Sequence, residues 1–138
     1  MNLAYSLTPF LAWLVAGSLK FLINSFRAGE FAFGQIGYGG LPSNHSAVVS
    51  STAALIALRE GLGHPAFGVA VTLAFIVMLD ASSLRRHVGE QAAAINRLVR
   101  ENKEVRPLRE RMGHTPGEIA AGIGVGTLVG YLVQIVTR

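Results

Sequence analysis

Cysteine is absent from this sequence of 138 residues, which excludes disulfide bonds and thiolate chemistry. Charge is scarce as well, because charged residues make up 14% of the chain against about a quarter in soluble proteins. Acidic residues are fewer than basic residues, with 8 Asp and Glu against 12 Lys and Arg. These few carboxylates are scattered and form no cluster for magnesium. We therefore expect neither a soluble domain nor a metal-dependent or cofactor-dependent enzyme.

Long apolar runs are what the sequence has in quantity, with 51% of residues hydrophobic. Four runs stand out, at residues 3–23, 46–58, 66–79 and 116–136. A full membrane span needs about 20 residues, so the two middle runs must extend into polar flanks or sit inside the bundle. No Lys or Arg precedes Lys20, and no small-residue cleavage site follows the first run, so it is not typical of a signal peptide. The pattern predicts an all-α integral membrane bundle of about four transmembrane helices, forming one domain over residues 1–138.

A charged stretch separates the third and fourth runs. Its apolar positions recur at steps of three and four residues, which is typical of an amphipathic helix; they are Leu84, Val88, Gln91 or Ala92, Ile95, Leu98 and Val99. Basic residues fill the other face, and Pro107 is predicted to end the helix. The helix either lies at the cytoplasmic membrane surface or extends the third span. A solvated charged helix fits the pattern equally well.

The orientation follows from counting Lys and Arg on each side of the membrane. With four spans, loops 20–45 and 80–113 share one face and hold ten cations: Lys20, Arg27, Arg85, Arg86, Arg97, Arg100, Lys103, Arg106, Arg109 and Arg111. The other face has Arg59 and Arg138. The positive-inside rule places both large loops in the cytoplasm. Lys and Arg residues that serve a binding or catalytic site would bias this count of cations on the two sides of the membrane.

Polar residues that could carry chemistry fall on that same face. Lys20 and Arg27 stand seven residues apart at the end of the first run, and as a structural feature they would be a snorkelling pair at a helix end. The stretch Pro-Ser-Asn-His at residues 42–45 begins the second run. Ser43 is a good N-cap candidate there, and capping alone would explain it.

A second helix start precedes the last run, where the sequence reads GHTPGEIAAG. Thr115 is an N-cap candidate, Pro116 suits the first helical position and Glu118 completes a capping box. His114, just before the cap, is not needed by any capping argument. Two helix amino termini, each with a histidine, would then meet on one face, where free amides and the helix dipole favour an anion.

The order of these motifs resembles the type 2 phosphatidic acid phosphatase superfamily, which includes vanadium haloperoxidases, and more closely its small divergent membrane branch. The superfamily's first motif is Lys, six residues, Arg-Pro; Lys20 and Arg27 keep that spacing, with Ala28 in place of the proline. Its second motif is Pro-Ser-Gly-His, and here Asn44 replaces the glycine. Its third ends in His, three residues, Asp, and here Glu118 replaces the aspartate. The resemblance covers residues 11–133 in order.

The arginine of the third motif is displaced. The superfamily pattern is Ser-Arg, five residues, His, which would put the arginine at Leu108, and Arg109 is one residue off. The end of the third run, DASSLRRHVGEQ, offers Arg85 or Arg86 instead, with an insertion before the histidine. The divergent branch resembles this arrangement, including the acidic Asp80. Either arginine satisfies the pattern.

The resemblance implies a role for each matching residue. His114 would attack phosphorus and form a phosphohistidine, Glu118 would hold its other ring nitrogen, and His45 would protonate the leaving alkoxide. Asp80 would orient an arginine or simply form an ion pair at a helix end. The phosphate ligands would be Lys20, Arg27, Ser43, Asn44 and Arg85 or Arg86.

Two functions from different classes follow. The first is a metal-independent membrane phosphatase acting on a lipid phosphate or diphosphate. The alternative is a non-catalytic membrane protein that binds anionic lipid or a partner through the same basic face. The series Gly122, Gly126 and Gly130 indicates close helix packing and makes a homodimer an option; we expect no nucleic acid partner. A vanadate-dependent peroxidase would require a larger, soluble scaffold.

Overall fold

The described part of the chain is helical. A computed structural model describes residues 3–29, 31, 40–100 and 105–138. No strand occurs in these ranges. In chain order the elements are α1 (Ala4–Ala28), α2 (Asn44–Glu60), α3 (Pro65–Leu79), a π-helical turn (Asp80–Leu84), α4 (Arg85–Leu98) and α5 (Pro116–Val136). The predicted all-α fold class is confirmed.

Three of these helices are long and apolar enough to cross a membrane: α1, α5 and the continuous helix Pro65–Leu98, which joins α3, the π turn and α4. The remaining predicted span, α2, has 17 residues and is about 25 Å long. Its Ser46, Ser50 and Ser51 are buried, because α2 packs against α1, α3 and α5. Of the two short predicted spans, one therefore extends into its polar flank and the other lies inside the bundle.

The amphipathic stretch continues the third span, which is one of the two arrangements predicted for it. Its helix ends at Leu98, earlier than the predicted stop at Pro107. A helix that continued to Pro107 would place residue 108 about 18 Å from residue 96 along the axis, whereas the Asn96 side chain bonds to the backbone of Leu108 at 2.8 Å. Residues 101–104, which include Lys103, and most of the loop predicted between the first two spans lie outside the described residues.

The tightest helix contact joins α2 to α5 through a row of glycines. A Cβ atom on Gly122, Gly126 or Gly130 would collide with a backbone carbonyl of α2; the carbonyls are those of Ser43, Ala47 and Ser51, respectively. Both rows repeat every four residues, so each helix presents one straight ridge to the other. This confirms the close packing predicted from the small-residue series, and it sets the two helices side by side along most of their length.

A polar cluster joins α1, α2 and α5 at the end of the bundle where α2 finishes. Arg59 donates from Nε to Gln134 Oε1 at 2.6 Å, and its guanidinium lies over the Tyr5 ring at 5.3 Å from the centroid. The Tyr5 hydroxyl donates to the Glu60 carboxylate. These bonds fix the three helices relative to one another at the end opposite to the amino termini of α2 and α5.

We expect Gly126→Ala to destabilise the bundle, because the added Cβ would overlap the backbone of Ala47. Overpacked positions typically cost about 1–3 kcal/mol. Gly124→Ala is the matched control on the same helix, since nothing lies within 4 Å of its added Cβ and alanine favours the helix. Thermal unfolding in detergent micelles measures both variants. Equal unfolding midpoints for the two variants would contradict the packing described above.

Candidate active site

His45 lies in the first turn of α2, whose start is fixed by a cap. The Ser43 hydroxyl accepts hydrogen bonds from the Ser46 backbone N–H at 3.3 Å and from the Ser46 hydroxyl at 3.0 Å. Ser43 is fully buried. The cap satisfies an amide that the helix itself leaves without a partner, and it defines the direction in which His45 leaves the helix.

His114 precedes α5 and is held by the cap of that helix. Thr115 Oγ1 accepts from the Glu118 backbone N–H at 3.3 Å, and Glu118 Oε2 accepts from the Thr115 backbone N–H at 3.0 Å. The same Glu118 oxygen lies 3.1 Å from Nδ1 of His114. The two side chains are 8% and 15% exposed, respectively. One carboxylate oxygen therefore serves both the capping box and the histidine ring.

The π turn supplies a guanidinium. The π turn bonds residue i to residue i+5 and so adds one residue to a helical turn. Arg85 therefore lies over Asp80, whereas in a regular α-helix Leu84 would lie closer to Asp80. Arg85 Nε donates to Asp80 Oδ2 at 2.8 Å. Because this bond uses Nε, the two terminal amino groups of the guanidinium are left to donate to an anion.

Two backbone hydrogen bonds join these three parts. The Ser43 N–H donates to the Glu118 carbonyl at 2.9 Å, which links the starts of α2 and α5. The His114 N–H donates to the Ala81 carbonyl at 2.9 Å, which links the start of α5 to the π turn. Gly113 precedes His114 with a φ of 87°, a left-handed conformation that favours glycine, and it lies against the backbone of Ala81.

The parts line an open cavity of about 460 Å³. The ring centroids of His45 and His114 lie 6.1 Å apart with their planes tilted by 55°. The lining consists of Trp13, Lys20, Asn44, His45, Val48, Val49, Val77, Arg85, Arg109, Met112, Gly113 and His114. Among these described residues three carry a full positive charge and none carries a carboxylate. The cavity therefore suits a ligand in which an anionic group is attached to an apolar group.

Most of the predicted site residues meet at this cavity. Lys20, Asn44, His45, Arg85 and His114 line it, while Glu118 and Asp80 bond to two of the lining side chains. The Oδ1 atom of Asn44 is buried and has no hydrogen-bond partner within the described chain. No group of three or more His, Asp or Glu side chains suited to a metal ion occurs among the described residues.

Three predicted phosphate ligands lie away from the described lining of the cavity. Arg27 is exposed in the last turn of α1, about 10 Å further along the helix than Lys20. The Arg86 side chain is 75% exposed and pairs with Glu90 at 3.4 Å, so of the two candidate arginines Arg85 is the one at the cavity. Ser43 is buried between α2 and α5, where its hydroxyl caps α2.

Two contributors to the lining were not among the predicted site residues, namely Arg109 and Trp13. Arg109 lies in the non-helical segment between α4 and His114, and its place five residues before that histidine was the available signal. Trp13 stands seven residues before Lys20, about two helical turns, so both lie on one face of α1. That spacing would have predicted an aromatic side chain in the cavity wall, two turns of α1 before the lysine.

Burial lowers the pKa of His114 from its ordinary value. The neighbouring cations Lys20 and Arg85 lower it further, whereas the hydrogen bond to Glu118 and the charge of that carboxylate raise it. The lowering contributions prevail. His114 therefore remains neutral to a more acidic pH than an exposed histidine does, and in the neutral form one ring nitrogen keeps a lone pair.

Comparison with known proteins places these motifs in one group. A family model described as the Divergent PAP2 family matches residues 2–129. The chain is also 37% identical over 114 residues to an uncharacterized membrane protein, YuiD, of Bacillus subtilis (strain 168), a match that covers 71% of this chain and 70% of the relative. No solved structure matches the chain. The family match spans all three motifs and the segments between them.

We expect His114 to titrate below its ordinary pKa of 6.5, and Glu118→Gln to lower the midpoint further. The glutamine preserves the capping box but removes the negative charge that raises the pKa of His114. Proton NMR of the ring in detergent micelles measures both midpoints, and His114→Asn assigns the resonance by its loss. An upward shift in Glu118→Gln would contradict the electrostatic description of the site.

Proposed function

The chain belongs to the Divergent PAP2 family and is a membrane protein, and on this premise we propose that it is a metal-independent phosphatase of lipid phosphates or diphosphates. One observation carries the proposal: His45 and His114 face the same cavity with ring centroids 6.1 Å apart, beside Lys20 and Arg85. A phosphoryl group between the rings is within reach of a nucleophile on one side and an acid on the other.

In the first step His114 attacks phosphorus. Glu118 accepts a hydrogen bond from Nδ1–H, so the proton is held on that nitrogen and the lone pair of Nε2 is directed at the substrate. The new N–P bond forms as the P–O bond to the lipid breaks, and the departing alkoxide takes a proton from His45. The Glu118 carboxylate stabilises the positive charge that develops on the His114 ring.

In the second step water releases the phosphate. His45, now neutral, accepts a proton from a water molecule as the water oxygen attacks the phosphohistidine. The P–N bond breaks, inorganic phosphate leaves, and both histidines return to their starting protonation states. The same pair of rings thus serves both half-reactions, which is why their shared cavity matters more than either residue alone.

Cations and helix amino termini stabilise the phosphoryl oxygens. Lys20 and Arg85 line the cavity, and Asp80 holds Arg85 from behind. The first turn of α2 adds the positive end of its dipole. Asn44 presents a buried Oδ1 that a protonated phosphate oxygen or a substrate hydroxyl would satisfy. Removing one such phosphate ligand typically costs about 3 kcal/mol in the transition state.

The apolar wall of the cavity supports a lipid substrate over a soluble phosphate. Trp13, Val48, Val49 and Val77 continue the lining from the cationic end, and Trp13 lies about 10 Å from Lys20 along α1, toward the middle of the helix. A phosphate attached to an acyl or prenyl chain matches this arrangement, in which the cavity is cationic at one end and apolar beyond it. A free sugar phosphate or phosphorylated protein does not.

We also propose that the site faces the cytoplasm. The loops on the cavity side carry ten of the twelve Lys and Arg residues of the chain. Three of them line the cavity, and the remaining seven still outnumber the two on the opposite face. The excess therefore persists when the cations of the site are set aside.

We expect purified protein to release phosphate from lipid phosphates without divalent metal, and to act more slowly on p-nitrophenyl phosphate, which lacks a tail for the apolar wall. His114→Ala and His45→Ala should each lower kcat/KM at least about a hundredfold. His87→Ala is the matched control, since His87 is exposed and pairs with Glu90 away from the cavity. Equal background release by all these proteins would refute the phosphatase and favour a non-catalytic protein that binds anionic lipid.

The orientation predicts which cysteine variants are labelled from outside. The native chain has no cysteine, so Arg106→Cys and Leu62→Cys each introduce one thiol at an exposed position, on opposite sides of the bundle. An impermeant maleimide should label Leu62→Cys in intact cells and Arg106→Cys after permeabilisation alone. Labelling of Arg106→Cys in intact cells would place the site outside the cytoplasm.

A further inference from the structure

The continuous helix Pro65–Leu98 is too long to lie within the membrane. Its 34 residues rise about 51 Å. Even at a tilt of about 40°, the steepest usual for membrane helices, it would span about 39 Å against a hydrocarbon thickness of about 30 Å. The end that leaves the hydrocarbon is α4, because α4 carries charged side chains and α3 carries none. The side chains of α4 therefore meet water or headgroups wherever no protein covers them.

An apolar stripe begins at the last residue of the π turn and follows α4. Its members recur at steps of three and four residues and so lie on one face of the helix; this α4 stripe consists of Leu84, Val88, Gln91, Ile95 and Leu98. The four aliphatic side chains are between 39% and 85% exposed. The segment 105–113 packs on a different face, against Gly89 and Asn96, about a quarter turn away. The described part of the chain therefore leaves the stripe largely uncovered.

The π turn keeps this stripe in line with an exposed side of α3. Exposed apolar residues of α3 follow the same steps; they are Val69, Leu73 and Ile76. Regular α-helix would continue them through Asp80 to positions 83, 87, 90, 94 and 97, and the extra residue of the π turn moves each later position by one, onto the α4 stripe. The buried face shows the same shift, since Ala74 and Ala81 are seven residues apart but Gly89 follows Ala81 after eight. One line of exposed apolar side chains thus runs along the whole helix, interrupted at Asp80.

The residue types of the α4 stripe match a two-stranded coiled coil. A step of four from Leu84 to Val88, then of three to Gln91, makes residues 84, 91 and 98 the d positions of a heptad and residues 88 and 95 the a positions. In parallel pairs of helices, β-branched residues at a with Leu at d favour two strands. Val88 and Ile95 supply the first, and Leu84 and Leu98 the second.

Gln91, in the middle of the α4 stripe, favours protein over lipid as the cover. Acyl chains offer the amide no hydrogen-bond partner, so its burial against lipid would cost free energy. A parallel helix from a second copy would bring its own Gln91 to the same height. An amide both donates and accepts, so two such side chains satisfy each other. A single polar residue in an apolar seam also sets the register and the number of helices.

Charge does not oppose the pairing of two identical α4 helices. The positions beside the stripe within α4 are Arg85, His87, Ala92 and Ala94. Of these, Arg85 is bonded to the Asp80 carboxylate, which offsets its charge. The other charged side chains of α4 lie on the opposite side of the helix, in one line; they are Arg86, Glu90 and Arg97. A second copy can therefore approach the stripe without like charges meeting at the contact.

We propose that the α4 stripe is the seam of a parallel homodimer, in which the long helices of two copies pair along α3 and α4. Two copies inserted in the same direction present the stripe at the same height, so the pairing is parallel and in register. The glycine ridge of α5 is not the dimer contact, because it is occupied by α2 of the same chain. Pairing requires no hydrolysis, so the homodimer and the phosphatase can fail separately.

Disulfide cross-linking of the full-length protein in native membranes tests the seam. The chain has no cysteine, so each variant carries a single thiol. Oxidation of Gln91→Cys should convert most of the protein into a species of twice the mass, since identical d positions face each other in a parallel pair. Arg97→Cys is the matched control, exposed on the opposite side of α4. It should remain a single chain, because its thiols would be too far apart to bond.

A charge placed in the seam provides a second test. Ile95→Lys should weaken association more than about tenfold, because two like charges would then face each other. Glu90→Lys adds the same side chain on the opposite side of α4 and should leave association unchanged. Energy transfer between labelled copies in lipid vesicles measures both. Ile95 is exposed in the single chain, so the variant should keep its helix content, which circular dichroism checks.

The outcomes distinguish the possible covers of the stripe. Absence of the doubled species in Gln91→Cys, or equal amounts of it in Gln91→Cys and Arg97→Cys, overturns the homodimer. A cross-linked species of another mass would assign the stripe to a different protein. An environment-sensitive label at Gln91→Cys that reports an apolar surrounding in a single chain would assign it to lipid. Either result also overturns the homodimer. Seam-specific cross-linking in a protein that releases no phosphate supports the homodimer and ends the proposed function.

Discussion

Everything at the candidate site depends on the contact between α2 and α5. Because α5 presents glycine along one ridge, its backbone reaches the carbonyls of α2 with no side chain between them. The two helices begin at the same end of the bundle, and the N–H of Ser43 bonds directly to the carbonyl of Glu118. Residues 45 and 114, which are distant along the chain, therefore come to share one space. The positive ends of two helix dipoles meet there as well.

The other half of the site is built by the continuous helix Pro65–Leu98. Its π turn aims Arg85 at the cavity, and its last turns hold the segment that carries Arg109. The imidazoles thus come from one pair of helices and two of the cations from another helix with its attached segment. The bond between the His114 N–H and the Ala81 carbonyl joins the halves. An anion bound between them would contact both.

The sequence was sufficient for features that are local. Apolar runs located the helices, and the capping residues Ser43 and Thr115 located the helix starts, because caps obey rules that act within four residues. The glycine series likewise predicted a close contact, although not which helix it meets.

What could not be predicted depends on distant parts of the chain. A π turn has no sequence signature, so the choice between Arg85 and Arg86 required coordinates. The contact between Asn96 and Leu108 joins residues twelve apart outside any helical repeat, so the apolar periodicity gave no sign that α4 ends at Leu98. The role of Ser43 could not be decided from the sequence, because serine suits both a helix cap and a phosphate ligand. Its burial, with its hydroxyl bonded to Ser46, assigns it to the cap.

The length of the helix Pro65–Leu98 has a consequence for where the chemistry sits in the bilayer. Its 34 residues rise about 51 Å, far more than the hydrocarbon thickness of about 30 Å. α3 alone rises about 22 Å before the π turn. A helix perpendicular to the membrane with Pro65 at one surface would bring Arg85, about 30 Å further along, to the depth where fatty chains give way to polar headgroups, and α4 would extend beyond it into water. A reaction at that depth would sort its own products: the inorganic anion would diffuse away into the aqueous phase, while the dephosphorylated alcohol would stay dissolved among the lipids.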